Sequence, residues 1–84
     1  MPNDRADPDI RLAMTLIDAY LLDHCTAADT SEGIAQWWLG AAGAAISAKA
    51  LRIALMRLVR AGRLRTRRLP GGDTLWYAPG GADE

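Results

Sequence analysis

The sequence predicts a mainly α-helical domain with a small β-hairpin, in which three helices make the core and the hairpin closes it. Three observations carry this reading. Residues 47–61 place apolar side chains at helical spacing, and residues 63–78 hold two short β-prone runs around a Pro-Gly-Gly turn. Two further amphipathic segments precede them, between residues 7 and 39. With 84 residues the chain has room for one core. A single domain is therefore expected over residues 7–78, between a disordered tail at 1–6 and a flexible, acidic, glycine-rich tail at 79–84.

The first helix is announced by Asp7-Pro8-Asp9, with Asp at the cap, Pro at the first helical position and a second acid near the positive end of the helix dipole. From there Ile10, Ala13, Met14, Leu16, Ile17, Tyr20, Leu21 and His24 share one broad face, which predicts a helix to about Cys25. Leu12, Ala19 and Leu22 fall on the other side, among Arg11, Thr15, Asp18 and Asp23. They are either scattered exposed apolar residues, which are common, or a dimer contact. A Cys beside a His invites a catalytic reading, since the pair can activate a thiolate. Adjacent helix positions point about 100° apart, however, and no third orienting group accompanies His24 and Cys25, so both are read as structural.

Asp29-Thr30-Ser31-Glu32 resembles a capping box, in which the Asp or Thr side chain accepts from first-turn amides and Glu32 reaches back. It opens a second helix from Ser31 to about Leu39. Ile34 and Trp38 share a face directed at the third helix, with Ala35 at its edge. Trp37 points about 100° away and is either core rim or part of a partner interface, where aromatic residues are enriched. Gly40 to Ala45 joins this helix to the next. The link exceeds the three to four residues of a helix-turn-helix turn unless Ala41 and Ala42 prolong the second helix.

Ser47 is the expected N-cap and Gly62 the expected C′ residue of a third helix over about Ala48 to Ala61. At about 100° per residue, Leu51, Ala54, Leu55, Leu58 and Val59 share one stripe, while Lys49, Arg52, Met56, Arg60 and the following Arg63 share the opposite one. One face seeks a core and the other an anion. Arg63 to Leu69 and Thr74 to Ala78 then form a hairpin, with Pro70-Gly71 fitting a type II turn inside a four-residue connection. The predicted core is Ile17, Leu21, Ile34, Trp38, Leu51, Leu55 and Leu58.

In the form S-x-x-x-L-x-x-x-L-x-x-L-x-x-x-G-R-L-x-x-R-x-x-P-G-G-x-x-x-W-Y, the run from Ser47 to Ala78 resembles the recognition helix and wing of bacterial winged helix-turn-helix proteins. The resemblance implies a winged helix, with the short first strand of that fold placed at Thr26-Ala27-Ala28. It also implies double-stranded DNA as partner, with the 47–61 helix in the major groove and the 63–78 hairpin as wing. Lys49, Arg52 and Met56 would then face the groove, with Arg52 the leading base reader, because bidentate Arg to guanine is the commonest specific contact. Arg63, Arg65, Arg67 and Arg68 would add phosphate contacts that position the wing, and Arg60 on the helix stripe completes the expected DNA-binding set.

Composition points the same way. Ten basic and ten acidic residues cancel overall. Yet residues 1–46 hold seven acids against two bases, while residues 47–84 hold eight bases against three acids. Such asymmetry suggests a two-sided surface with one anion-seeking side. No run approaches the roughly 18 apolar residues of a membrane span, and no signal peptide opens the chain, so a cytoplasmic protein without membrane contact is expected. A single cysteine, the lack of a Cys/His set, and the lack of a phosphate loop, nucleophile elbow or paired-carboxylate site predict no metal, no cofactor and no enzymatic activity. The expected function is sequence-specific DNA binding by a small homodimeric transcription regulator. The alternative is a winged-helix module that binds a protein partner, through the Trp37 face or the basic face, without binding DNA.

Overall fold

The third helix, α3 (Ala48–Arg60), is capped at both ends by the residues that bound it. Ser47 is extended, and its Oγ accepts from the Ala50 N–H at 3.0 Å, satisfying one of the orphan amides of the first turn. At the other end Gly62 takes φ +79°, and the Gly62 and Arg63 N–H groups donate back to the Val59 and Leu58 carbonyls at 3.0 and 2.8 Å. This paired closure is a Schellman motif. It reverses the chain so that Leu64 lands on the core, where it is 1% exposed.

The computed structural model describes residues 6–79. Ahead of α3 lie α1 (Ala6–Asp23), the two-residue strand β1 (Ala28–Asp29), a helical turn α2 (Ser31–Gly33) that widens into a π-helical segment (Ile34–Trp38), and a 3₁₀ segment (Gly40–Ala45). After it come β2 (Arg65–Arg68) and β3 (Thr74–Tyr77). The chain is thus mainly helical with one small antiparallel sheet of order β1-β3-β2. Residues 1–5 and 80–84, which hold nearly all of the two tails read from the sequence, lie outside the described residues.

The main packing is α1 on α3. Ile10, Ala13 and Ile17 of α1 meet Ala50, Leu51, Ala54, Leu55 and Leu58 of α3, and Ile34, Trp38, Leu39 and Leu64 complete the cluster. Of the seven expected core residues only Leu21 falls short, being half-buried at the cluster's edge. Near the end of α1, Tyr20 stacks between Trp38 and His24, with centroid separations of 4.9 and 4.1 Å.

Several local expectations need correction. Helix α1 begins at Ala6, so Asp7 lies inside its first turn and not at the cap, and it stops at Asp23, two residues early. His24 is exposed, not on the buried face; the Tyr20 carbonyl accepts its backbone N–H at 2.9 Å and lies 3.1 Å from its Nδ1. Cys25 is exposed as well. The first strand sits at 28–29, not 26–28, because Ala28 and Asp29 pair with Tyr77 and Trp76.

The capping box forms only in its first half, the Thr30 cap, for a reason visible in the spacing. Thr30 is the N-cap, its Oγ1 accepting from Gly33 N–H at 3.2 Å, so the third helical position is Gly33 and has no side chain to reach back. Asp29 instead accepts from the Thr30 N–H at 2.8 Å. Beyond Gly33 the helix widens, with Leu39 N–H donating to the Ile34 carbonyl five residues back at 3.2 Å. At α spacing Leu39 would point about 140° from Ile34. The wider turn brings the two closer to one face, and both are buried. Gly40 then stops the segment with φ +64°, and the link to α3 is a 3₁₀ segment, not an extension of α2 through Ala41 and Ala42.

The hairpin forms where expected but with a different turn. The Leu69 carbonyl accepts from Gly72 N–H at 2.9 Å, and Leu69 N–H donates to the Asp73 carbonyl at 2.8 Å. Positive φ falls on Gly72 (+101°) and not on Gly71, so Pro70-Gly71 makes a type I turn followed by a glycine bulge. This is the usual three-residue hairpin loop, and its twist suits the strands better than type II would.

Candidate nucleic-acid interface

The amphipathic pattern of α3 puts Lys49, Arg52, Met56 and Arg60 together on its outward face, all exposed, with Met56 at 58%. Their spacing of three to four residues makes them neighbours along one stripe. Ile53, half-buried, borders that stripe.

Strand β2 carries three arginines and all four of its side chains are exposed. It is an edge strand, because β3 lies between it and β1. The register pairs Arg65 with Tyr77, Thr66 with Trp76, Arg67 with Leu75 and Arg68 with Thr74. Side chains alternate across a strand, so Thr66, Arg68, Thr74 and Trp76 share one face and Arg65, Arg67, Leu75 and Tyr77 the other. Trp76 packs on the core, and Thr66, Thr74 and Trp76 line a depression against α3. Arg68 therefore lies on the α3 side of the sheet, and Arg65 with Arg67 on the reverse. The arginines that form one run in sequence are divided between two surfaces.

Arg63 is drawn elsewhere. Its Nε lies 3.2 Å from Asp18 Oδ1 on α1, which ties the entry to the hairpin to the first helix. Of the eight residues singled out in the sequence, four gather on α3, Arg68 faces toward them, and three point away or are engaged with α1.

Two open depressions flank the outer side of α3. One, of about 870 Å³, lies toward its N-terminus and is lined by Lys49, by Ser31 and Glu32 of α2, and by Gly72 and Asp73 of the hairpin loop. The other, of about 650 Å³, is lined by Met56, Arg57, Arg60 and Thr66 among others. Arg52, Thr74 and Trp76 border both and form the ridge between them. The first depression mixes acids with bases; the second has arginine and no acid in its lining. Arg57 was not among the residues expected at the site. It lies about 80° around the helix from Lys49, at the edge of the basic stripe, where helical spacing alone does not separate a lining residue from a solvated one.

Among the described residues no cluster of His, Cys, Asp or Glu is placed to hold a metal, and no helix is long and apolar enough to cross a membrane. The arrangement sets exposed basic side chains and threonine hydroxyls along one side of α3. No protein-family model, curated protein or solved structure matches the chain.

Proposed function

We propose that the chain is a winged-helix domain that binds double-stranded DNA in a sequence-specific manner, as a small transcription regulator. The observation that carries this reading is the two-faced α3, whose buried apolar stripe backs an exposed basic stripe and which runs straight into an arginine-bearing hairpin. The order β1-β3-β2 behind a three-helix core supports the winged-helix assignment. In this reading the α3 stripe enters the major groove and the hairpin lies along the phosphates. The test is binding to a generic duplex at two salt concentrations. Affinity should fall steeply with salt, since each neutralised phosphate releases roughly one counterion. No detectable duplex binding at low salt would sink the reading.

A two-fold operator needs paired recognition helices, and the reading includes a homodimer through α1, where Leu12 and Leu22 are exposed. Sedimentation as a monomer at high micromolar concentration would remove that part alone. The competing reading, a module for a protein partner, is favoured by Trp37, which is 70% exposed on the segment between α2 and α3. It predicts no salt-dependent duplex binding, so the same titration separates the two.

A further inference from the structure

The two depressions beside α3 differ in charge, and that difference bears on which half of the helix meets an anionic strand. Near the N-terminus of α3, Lys49 shares its depression with Glu32 and Asp73, contributed by two other elements that converge there. The two carboxylates offset Lys49 and the ridge residue Arg52, so that depression carries no net charge to attract a phosphate, and like-charge juxtaposition is a means of excluding a wrong ligand. Past the ridge of Arg52 and Trp76, Arg57 and Arg60 project from the C-terminal half of α3, and Thr66 and Thr74 supply hydroxyl donors from the sheet face opposite. Between them lie Met56, Ile53, Val59 and the Trp76 ring, an apolar floor. A sugar-phosphate strand offers the complement: anionic oxygens for the arginines, beside deoxyribose rings whose C–H faces are its least polar part.

Resting on the DNA reading above, we infer that one strand of the duplex backbone seats in the C-terminal depression, with Arg57 and Arg60 on its phosphates, while Glu32 and Asp73 keep phosphate out of the N-terminal one. Arg57 thereby becomes a DNA contact and Lys49 a bystander. This differs from the common helix-turn-helix arrangement, in which the N-terminal residues of the recognition helix make the contacts. Thr66 and Thr74 act as uncharged donors, which fix position without adding to the salt dependence.

The experiment is fluorescence anisotropy of a labelled generic duplex titrated with the intact chain and its variants, from about 50 to about 200 mM salt. Arg57→Ala should weaken binding roughly five- to tenfold at about 0.1 M salt and lower the salt slope by about one, the share of one lost phosphate contact. Arg57→Lys should keep the slope, because the charge is kept. Lys49→Ala should change affinity less than about twofold with the slope unaltered. In Glu32→Gln/Asp73→Asn the N-terminal depression loses its acids, and binding should tighten several-fold with a slope larger by about one. All these side chains are exposed, and unaltered melting curves will show that each variant is folded. If the intact chain binds duplex but Lys49→Ala costs more than Arg57→Ala, or the acid-free variant binds no better, the inference is wrong and the DNA reading stands. If the intact chain binds no duplex, both are wrong.

Discussion

Arg63 Nε and Asp18 Oδ1 lie 3.2 Å apart, joining the residue that closes the α3 cap to the C-terminal third of α1. The side chains are 54% and 31% exposed, so the pair sits in a largely solvent-screened setting, where such contacts contribute about 0–1 kcal/mol. Arg63→Ala and Asp18→Asn should each lower stability by less than about 1 kcal/mol, and the double variant should lose little more than either. Thermal melts with and without added salt will check this. A loss that persists at high salt would mean that Arg63 acts by packing its stem and not by charge.

Gly33 is required by Asp29. A Cβ at residue 33 would overlap the Asp29 carboxylate, which is held in place by the Thr30 N–H it accepts at 2.8 Å. Gly33→Ala must therefore break that contact or shift the start of α2, at a cost of about 1–3 kcal/mol. Removing the carboxylate opens the space, so Gly33→Ala/Asp29→Ala should be less destabilised than the sum of the single changes. Urea denaturation of the four proteins measures the coupling directly. Strict additivity would show that the two residues do not meet.

Much of this architecture was legible because the signals were local. Ser47 and Gly62 bound α3 as read, since a cap depends on the residues next to it. The apolar stripe of α3 faces the core because a 3.6-residue period leaves few alternatives. What escaped was set by distant partners. Leu64 reads as a strand residue and is buried as a core residue, because the turn at Gly62 aims it inward. The π-helical turn at Ile34–Trp38 has no pattern of its own in sequence; it follows from the need to bury Ile34 and Leu39 together. The run of basic residues at the hairpin hid the division of Arg65 and Arg67 from Arg68, since the register with β3, not the spacing in the chain, decides which face is which. Arg57 escaped for a related reason: its place in the site depends on where the hairpin lies.

The hairpin loop offers a test of its turn type through two adjacent glycines. Gly72 has φ +101°, whereas Gly71 lacks positive φ and has open space where a Cβ would go. Gly72→Ala should cost about 1–2 kcal/mol or more, the penalty of the left-handed region for a residue with Cβ. Gly71→Ala should be near neutral or slightly stabilising, because it restricts the unfolded chain without straining the native turn. A type II turn predicts the opposite order, so a pair of thermal melts distinguishes them.

The last prediction separates base reading from backbone contact within the proposed function. Arg52 is exposed and stands on the ridge between the two depressions, beside Trp76 and Thr74. The planar fork of donors on a guanidinium matches the two acceptors of a guanine edge. Arg52→Ala should therefore cost about 1–3 kcal/mol on the preferred site and little on random duplex, relaxing the preference at one position. Arg65→Ala and Arg67→Ala, on the reverse face of the sheet, should instead weaken binding equally for all duplexes, and only if the hairpin contacts backbone through both of its faces. Selection of bound sequences from a random pool, followed by anisotropy on the selected and scrambled duplexes, gives each variant its ratio. An Arg52→Ala ratio equal to that of the intact chain would assign base reading to another side chain of the stripe.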